Sequence, residues 1–97
     1  MLKFKLFVDD QEVYVTTSPV QAWAYDVAVT YGNRSHEEAV ECANLAEYIY
    51  LKDENTIPTG YLVDVVAMNL EKLRTIKNKW DLINYVSNCE RDYEEEL

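Results

Sequence analysis

Apolar and polar residues alternate at the start of the chain, which is the pattern of half-buried β-strands. The apolar positions of this pattern are Leu2, Phe4, Leu6 and Val8, followed by Val13 and Val15. In an antiparallel pair, opposed residues share a face of the sheet. One face of the pair is entirely apolar if Leu6 opposes Val15 and if Val8 opposes Val13. The pattern therefore predicts a β-hairpin with this register.

The same register makes residues 9–12 a turn of four residues, Asp9-Asp10-Gln11-Glu12. A longer connection is expected because the sequence lacks the Asn-Gly or Asp-Gly pair that is typical of a tight hairpin. Phe7 and Tyr14 then form an apolar pair on the outer face. Since a two-stranded sheet alone is marginal in water, this pair is either covered by a helix or buried between two copies of the hairpin.

The first two predicted helices have recognisable end signals. Ser18 is expected to be the N-cap of the first, with Pro19 in the first helical position. Gly32 is the expected left-handed residue that ends it. Ser35 and Glu38 have the spacing of a capping box, and the helix that they open should extend to about position 52.

The apolar faces of these helices predict how they pack. In the first helix the expected core face is Val20, Trp23, Ala24, Val27 and Tyr31; in the second it is Ala39, Cys42, Ala43, Ala46, Ile49 and Tyr50. The outward line of the second helix is Glu37, Glu41, Asn44 and Tyr48. The first helix is apolar nearly all round and should be central in the domain. The alanines of the second predict a close approach between helices.

Two further helices are expected after the polar loop that ends at Pro58. The third should begin after Thr59 as its cap and extend to about position 77. The apolar stripe that follows Trp80 is out of phase with that of the third helix, so we expect a break near Asn78 and a fourth helix. The acidic segment 90–97 should fray because acids are unfavourable at a helix C-terminus. The predicted fold is α+β, mainly helical, with a β-hairpin followed by four helices.

Length and charge limit the possible functions. The 97 residues form one domain's worth of chain. Eighteen acidic and nine basic residues give a formal net charge of −9, while 48% of the residues are hydrophobic. This composition is typical of a folded acidic domain rather than a disordered chain. Direct binding of nucleic acid is disfavoured, since phosphates require a surplus of cations. A basic protein surface is the partner that this charge attracts.

Residues suited to catalysis are few. His36 is the single histidine, and both cysteines, Cys42 and Cys89, fall on apolar stripes. Two glycines cannot form a phosphate-binding loop, and neither histidine nor cysteine has metal-ligand spacing. We therefore expect a non-enzymatic protein with no catalytic residue, no metal site and no cofactor.

The start of the chain lacks the long apolar stretch of a signal peptide or a membrane span. Together with the unpatterned cysteines, this predicts a reduced protein of the cytoplasm with no membrane partner.

Two functional hypotheses remain. In the first, the chain binds a basic protein surface, in the extreme case as a nucleic-acid mimic that inhibits a defence protein, as small acidic phage and mobile-element proteins do. The expected partner-binding residues are Asp9, Asp10, Glu12, Glu37, Glu38, Glu41 and Tyr48. In the second, it is a structural or regulatory homo-oligomer, a homodimer for example, that associates through Phe7 and Tyr14. The competing interpretation of the acids is that they only keep the protein soluble.

Overall fold

A computed structural model describes residues 2–53 and 56–96, with side chains up to Cys89. It confirms the predicted α+β class, an antiparallel hairpin followed by helices. The elements in chain order are β1 (Phe4–Val8), β2 (Gln11–Thr16), α1 (Pro19–Thr30), α2 (His36–Lys52), α3 (Thr59–Met68), α4 (Leu70–Leu73) and α5 (Lys79–Glu96).

The hairpin turn is tighter than the sequence predicted. Only Asp9 and Asp10 lie between the strands, and their φ angles are 51° and 67°. Left-handed geometry at both central residues is that of a type I′ turn, which matches the twist of the strands. Aspartate adopts this geometry more readily than most residues. The prediction of a four-residue turn was wrong.

The register also differs from the predicted one. Leu6 pairs with Tyr14, and Phe7 pairs with Glu12. Val13 is the extra residue of a β-bulge between these two pairs. The predicted pairings were wrong because a regular alternation cannot reveal such an insertion. As a result Phe7 and Tyr14 lie on opposite faces of the hairpin, with Tyr14 packed against the core and Phe7 exposed.

The predicted starts of α1 and α2 are confirmed. The Ser18 hydroxyl accepts a hydrogen bond from the Gln21 amide at 3.1 Å. The Ser35 hydroxyl accepts from the Glu38 amide at 3.2 Å, and the Glu38 carboxylate accepts from the Ser35 amide at 3.3 Å. These bonds satisfy donors that the first helical turn would otherwise leave unpaired. Both helices therefore begin where their caps predict.

Gly32 has a different role from the predicted one. Its φ is not positive, and Asn33 adopts the left-handed conformation instead, at 53°. A Cβ on Gly32 would lie 2.8 Å from the Ala28 carbonyl oxygen and 3.4 Å from the Ala67 Cβ. Glycine is thus required here because a Cβ would overlap the Ala28 carbonyl oxygen near the end of α1.

The third predicted helix is divided in two. Asn69, at φ −120° and ψ 25°, separates α3 from α4, and its side-chain amide donates to the Val65 carbonyl at 3.2 Å. Pro58 occupies the N-cap position, so the prediction of Thr59 as the cap was wrong. Local polar bonding at Asn69 interrupts the helix in a way that the apolar stripe did not indicate.

The predicted break before the last helix is confirmed. The Asn78 side-chain oxygen accepts hydrogen bonds from the backbone amides of Trp80, at 2.8 Å, and Asp81, at 3.2 Å. Asn78 therefore acts as the cap of α5. This helix continues to Glu96. Because the side chains beyond Cys89 lie outside the described residues, the frayed tail over 90–97 stays a prediction.

Helix α1 is central, as predicted, and packs against α2, α3 and both strands. Ala24 and Ala28 are fully buried. On α2 the predicted core positions are buried except for Tyr50, which is half exposed. The predicted face of α1 was partly wrong, because Trp23 and Tyr31 are 48% and 70% exposed. Instead, the hairpin packs against the opposite side of α1 and buries Tyr25 there.

The two glycines provide a matched test of this packing. We expect Gly32→Ala to lower the free energy of unfolding by about 1–3 kcal/mol, because the new methyl group would overlap backbone atoms. Gly60→Ala would meet only the partly exposed Trp23 ring, at 3.2 Å, and alanine favours helix. Urea denaturation of both variants measures the difference. Equal destabilisation by the two would contradict the close approach at Gly32.

Candidate functional site

The predicted partner-binding acids fall into two groups. Asp9 and Asp10 in the turn and Glu37 in the first turn of α2 are exposed. Tyr48, on the same outward side of α2, is 40% exposed. The remaining predicted residues, Glu12, Glu38 and Glu41, take part in ion pairs within the domain. The first group therefore presents its negative charge to a partner, while the charge of the second group is partly neutralised within the domain.

Arg74 holds Glu41 against the segment that follows α4. Its Nη2 and Nε lie 2.7 and 2.9 Å from the two carboxylate oxygens, a bidentate arrangement. Its Nη2 is also 3.7 Å from Glu38 Oε2. The hydrogen bonds from Arg74 lower the pKa of Glu41 and raise that of Arg74. Glu41 thus binds within the molecule, although it lies on the predicted outward line.

Arg34 makes a second set of contacts beside the first. Its Nε donates to the Ala67 carbonyl at 2.9 Å, and its Nη2 donates to Glu71 Oε1 at 2.8 Å. Its Nη1 contacts the other oxygen of Glu71 and lies 3.5 Å from Glu38 Oε2. The hydrogen bond from Arg34 is the main cause that lowers the pKa of Glu71 to about 2. Arg34 therefore ties the α1–α2 connection to α3 and α4.

Sequence analysis missed this network, and the basic residues near position 75 illustrate why. Basic residues at this place could serve a helix dipole, but Arg74 reaches 33 positions back to Glu41. Lys72 and Lys79 lie near aromatic rings instead, 5.9 Å from that of Tyr85 and 4.7 Å from that of Trp80. Such distant pairs have no local spacing signal.

A groove lies between the hairpin and the first two long helices. It is open to solvent, has a volume of about 430 Å³ and is lined by Val8, Val13, Tyr25, Val29 and His36. Strand β1 and the bulge of β2 form one wall, and α1 with the start of α2 forms the other. The predicted register already placed Val8 and Val13 on one face, but the other wall comes from α1 and α2, and the sequence does not show where these helices lie against the hairpin.

Tyr25 connects the three elements at the groove. Its ring stacks on Tyr14 with centroids 4.6 Å apart and planes 8° from parallel. Its hydroxyl lies 2.8 Å from Nδ1 of His36, to which it donates when that nitrogen carries no proton. Burial raises the pKa of Tyr25, so the phenol keeps its proton at neutral pH. This hydrogen bond fixes the histidine ring at the groove wall.

The other predicted chemical groups lie elsewhere. Cys42 is buried, burial raises its pKa to about 11, and its thiol donates to the Val66 carbonyl at 3.7 Å. Within residues 2–53 and 56–96, as far as side chains are described, no three His, Cys, Asp or Glu side chains come together as a possible metal site. None of the helices in the described part of the chain has the length and apolar character needed to cross a membrane.

Comparisons of the chain with known protein families, curated proteins and solved structures found no match.

The ion pairs predict a pH dependence of stability. The pKa of Glu71 in the folded protein is about 2, against an ordinary value of 4.5. The charge of Glu71 therefore stabilises the fold at pH values above 4.5. That stabilisation is lost as the pH falls toward 2. Glu71→Gln should therefore unfold more readily than wild type at pH 7, and the difference should shrink between pH 4.5 and 2.

Glu37→Gln is the matched control, since it removes the same charge at an exposed position of α2. Urea denaturation across this pH range measures all three proteins. A difference between wild type and Glu71→Gln that stays constant with pH would contradict the contribution of the Arg34–Glu71 pair.

Proposed function

We propose that this chain is an acidic, non-enzymatic interaction protein that binds a basic protein surface through Asp9, Asp10 and Glu37. One observation carries the proposal. Among the described residues, Arg34 and Arg74 form ion pairs with Glu38, Glu41 and Glu71. The three exposed acids of the proposal are outside these ion pairs.

Electrostatics makes such a surface suited to recognition. The chain has a net charge of −9, and charges in water act over roughly 8–10 Å at moderate salt. A surface of one sign accelerates encounter with a surface of opposite sign. The ion pairs of Arg34 and Arg74 offset the charge on the adjacent side of α2, whereas Asp9, Asp10 and Glu37 keep theirs for a partner.

In the inhibitor form of this proposal, the acids occupy the positions of the nucleic-acid phosphates that a defence protein binds. Glu37 and Glu41 are one helical turn apart, a separation of about 5–6 Å between side-chain origins. Since Arg74 offsets the charge of Glu41, mimicry would depend on Glu37 together with the hairpin acids. The free cysteines are compatible with the cytoplasmic location that we propose with it.

A second candidate is homodimerisation through the outer face of the hairpin, with Phe7 in the interface. Phe7 is 59% exposed and Val15, on the same face, is 42% exposed. Tyr14 is on the other face and stacks on Tyr25, which leaves Phe7 and Val15 to form the apolar contact. Sedimentation should then show a concentration-dependent mass that Phe7→Lys abolishes; a wild-type monomer at all concentrations would contradict this candidate.

The main proposal is tested by removing charge without disturbing the turn. Asp9→Asn/Asp10→Asn is the suitable variant because asparagine also accepts the left-handed conformation. Wild type should capture a protein from lysate at about 50 mM salt and release it at about 500 mM, since salt screens the attraction. The variant should fail to capture this protein. The captured protein should also lose nucleic-acid binding when wild type is added.

Asp64→Asn/Asp81→Asn is the control, because it changes the net charge equally at two exposed positions of α3 and α5. This control should retain the partner. Identical captured proteins for wild type and both variants, at both salt concentrations, would refute a role for the hairpin acids.

A further inference from the structure

The groove between the hairpin and α1 combines apolar walls with fixed polar groups. Val8 is 44% exposed and Val29 is partly exposed, so the aliphatic surface of the groove is accessible from solvent. Tyr25 and His36 contribute the polar atoms, and the hydrogen bond between them fixes their orientation. The volume of about 430 Å³ is within the range of sites that bind small ligands or single side chains.

Exposed acids lie near the lining residues in the sequence on both sides of the groove. Asp9 follows Val8 at the end of β1, and Glu37 follows His36 at the start of α2. Asp26 lies three positions before Val29 on α1, a spacing that places the two side chains on neighbouring positions of the helix surface. The three elements that line the groove, β1, α1 and α2, therefore each carry or adjoin an exposed acid, Asp9, Asp26 or Glu37.

We propose that this groove accepts one bulky aliphatic or aromatic side chain from a basic segment of the partner protein. The lysine or arginine residues on either side of that anchor then pair with Asp9, Asp26 and Glu37. The inference rests on the proposed function and adds the form of the partner, an apolar residue flanked by cations.

Charge selects this occupant over two others. A second copy of the chain would bring the same acids to the groove, and like charges that face each other oppose association. An anionic ligand would be repelled in the same way. A cationic segment is attracted, and burial of an apolar anchor adds affinity that salt does not screen.

Three fluorescein-labelled peptides of about eleven residues test the inference, and the first two alternate lysine and arginine around the central position. The first has leucine at the centre, the second has serine there, and the third keeps leucine but replaces every cation by glutamate. Fluorescence anisotropy should show the leucine peptide binding about tenfold more tightly than the serine peptide. The glutamate peptide should not bind.

Val29→Ser removes aliphatic surface from the groove and should reduce the binding of the leucine peptide to that of the serine peptide. Leu51→Ser is the matched control, because Leu51 is 68% exposed near the end of α2 and does not line the groove, and it should leave the difference intact. Circular dichroism confirms that both variants fold. In wild type, the amide resonances of Val8, Val29 and His36 should shift on addition of the leucine peptide.

Failure of the two proposals can be distinguished. If the leucine and serine peptides bind equally, with salt dependence and without shifts at the groove, the anchor proposal is overturned and the acidic surface remains. Equal binding of the glutamate and lysine-arginine leucine peptides would also overturn it. If neither cationic peptide binds, both the anchor and the proposed function are overturned.

Discussion

Close packing around helix α1 is the constraint on which the rest of the structure depends. Ala24 and Ala28 are fully buried where α1 approaches its neighbours, and Ala43 is fully buried on α2. Small side chains allow two backbones to lie near each other, and dense interiors do not absorb added volume. Gly32 extends this requirement past the end of α1, where the Ala28 carbonyl oxygen leaves no room for a Cβ.

Tyr25 connects that core to the surface. It is almost fully buried on α1, stacks on Tyr14 of the hairpin and shares a hydrogen bond with His36 of α2. The position of α1 therefore sets the distance between the hairpin and the start of α2, and with it the width of the groove. On the other side of α2, Arg34 and Arg74 join distant segments and partly neutralise the acids there.

Local signals predicted much of the fold. Ser18, the Ser35–Glu38 pair and Asn78 mark helix starts because each cap bonds amides within three residues of itself. Alternation predicted the hairpin because strand side chains point to opposite faces in turn. These features depend on short stretches of chain, which a sequence shows directly.

The candidate site was predicted less well, because it depends on contacts between distant segments. A single inserted residue, Val13, changed which side chains face the helices. Asp9 and Asp10 form a tight turn that their residue types only weakly indicate. The pairing of Glu41 with Arg74 depends on how α2 lies against the segment after α4, so its outward position could be predicted but its partner could not.

Hydrogen exchange of backbone amides tests the central role of α1 most directly. Amides buried in the best-packed unit exchange only when that unit opens. The packing predicts that the interior amides of α1 and α2, around Ala28 and Ala43, exchange slowest and with similar opening free energies, while those of the hairpin exchange faster. Slowest exchange in the hairpin or in α5, with α1 opening as readily as the chain ends, would contradict the account.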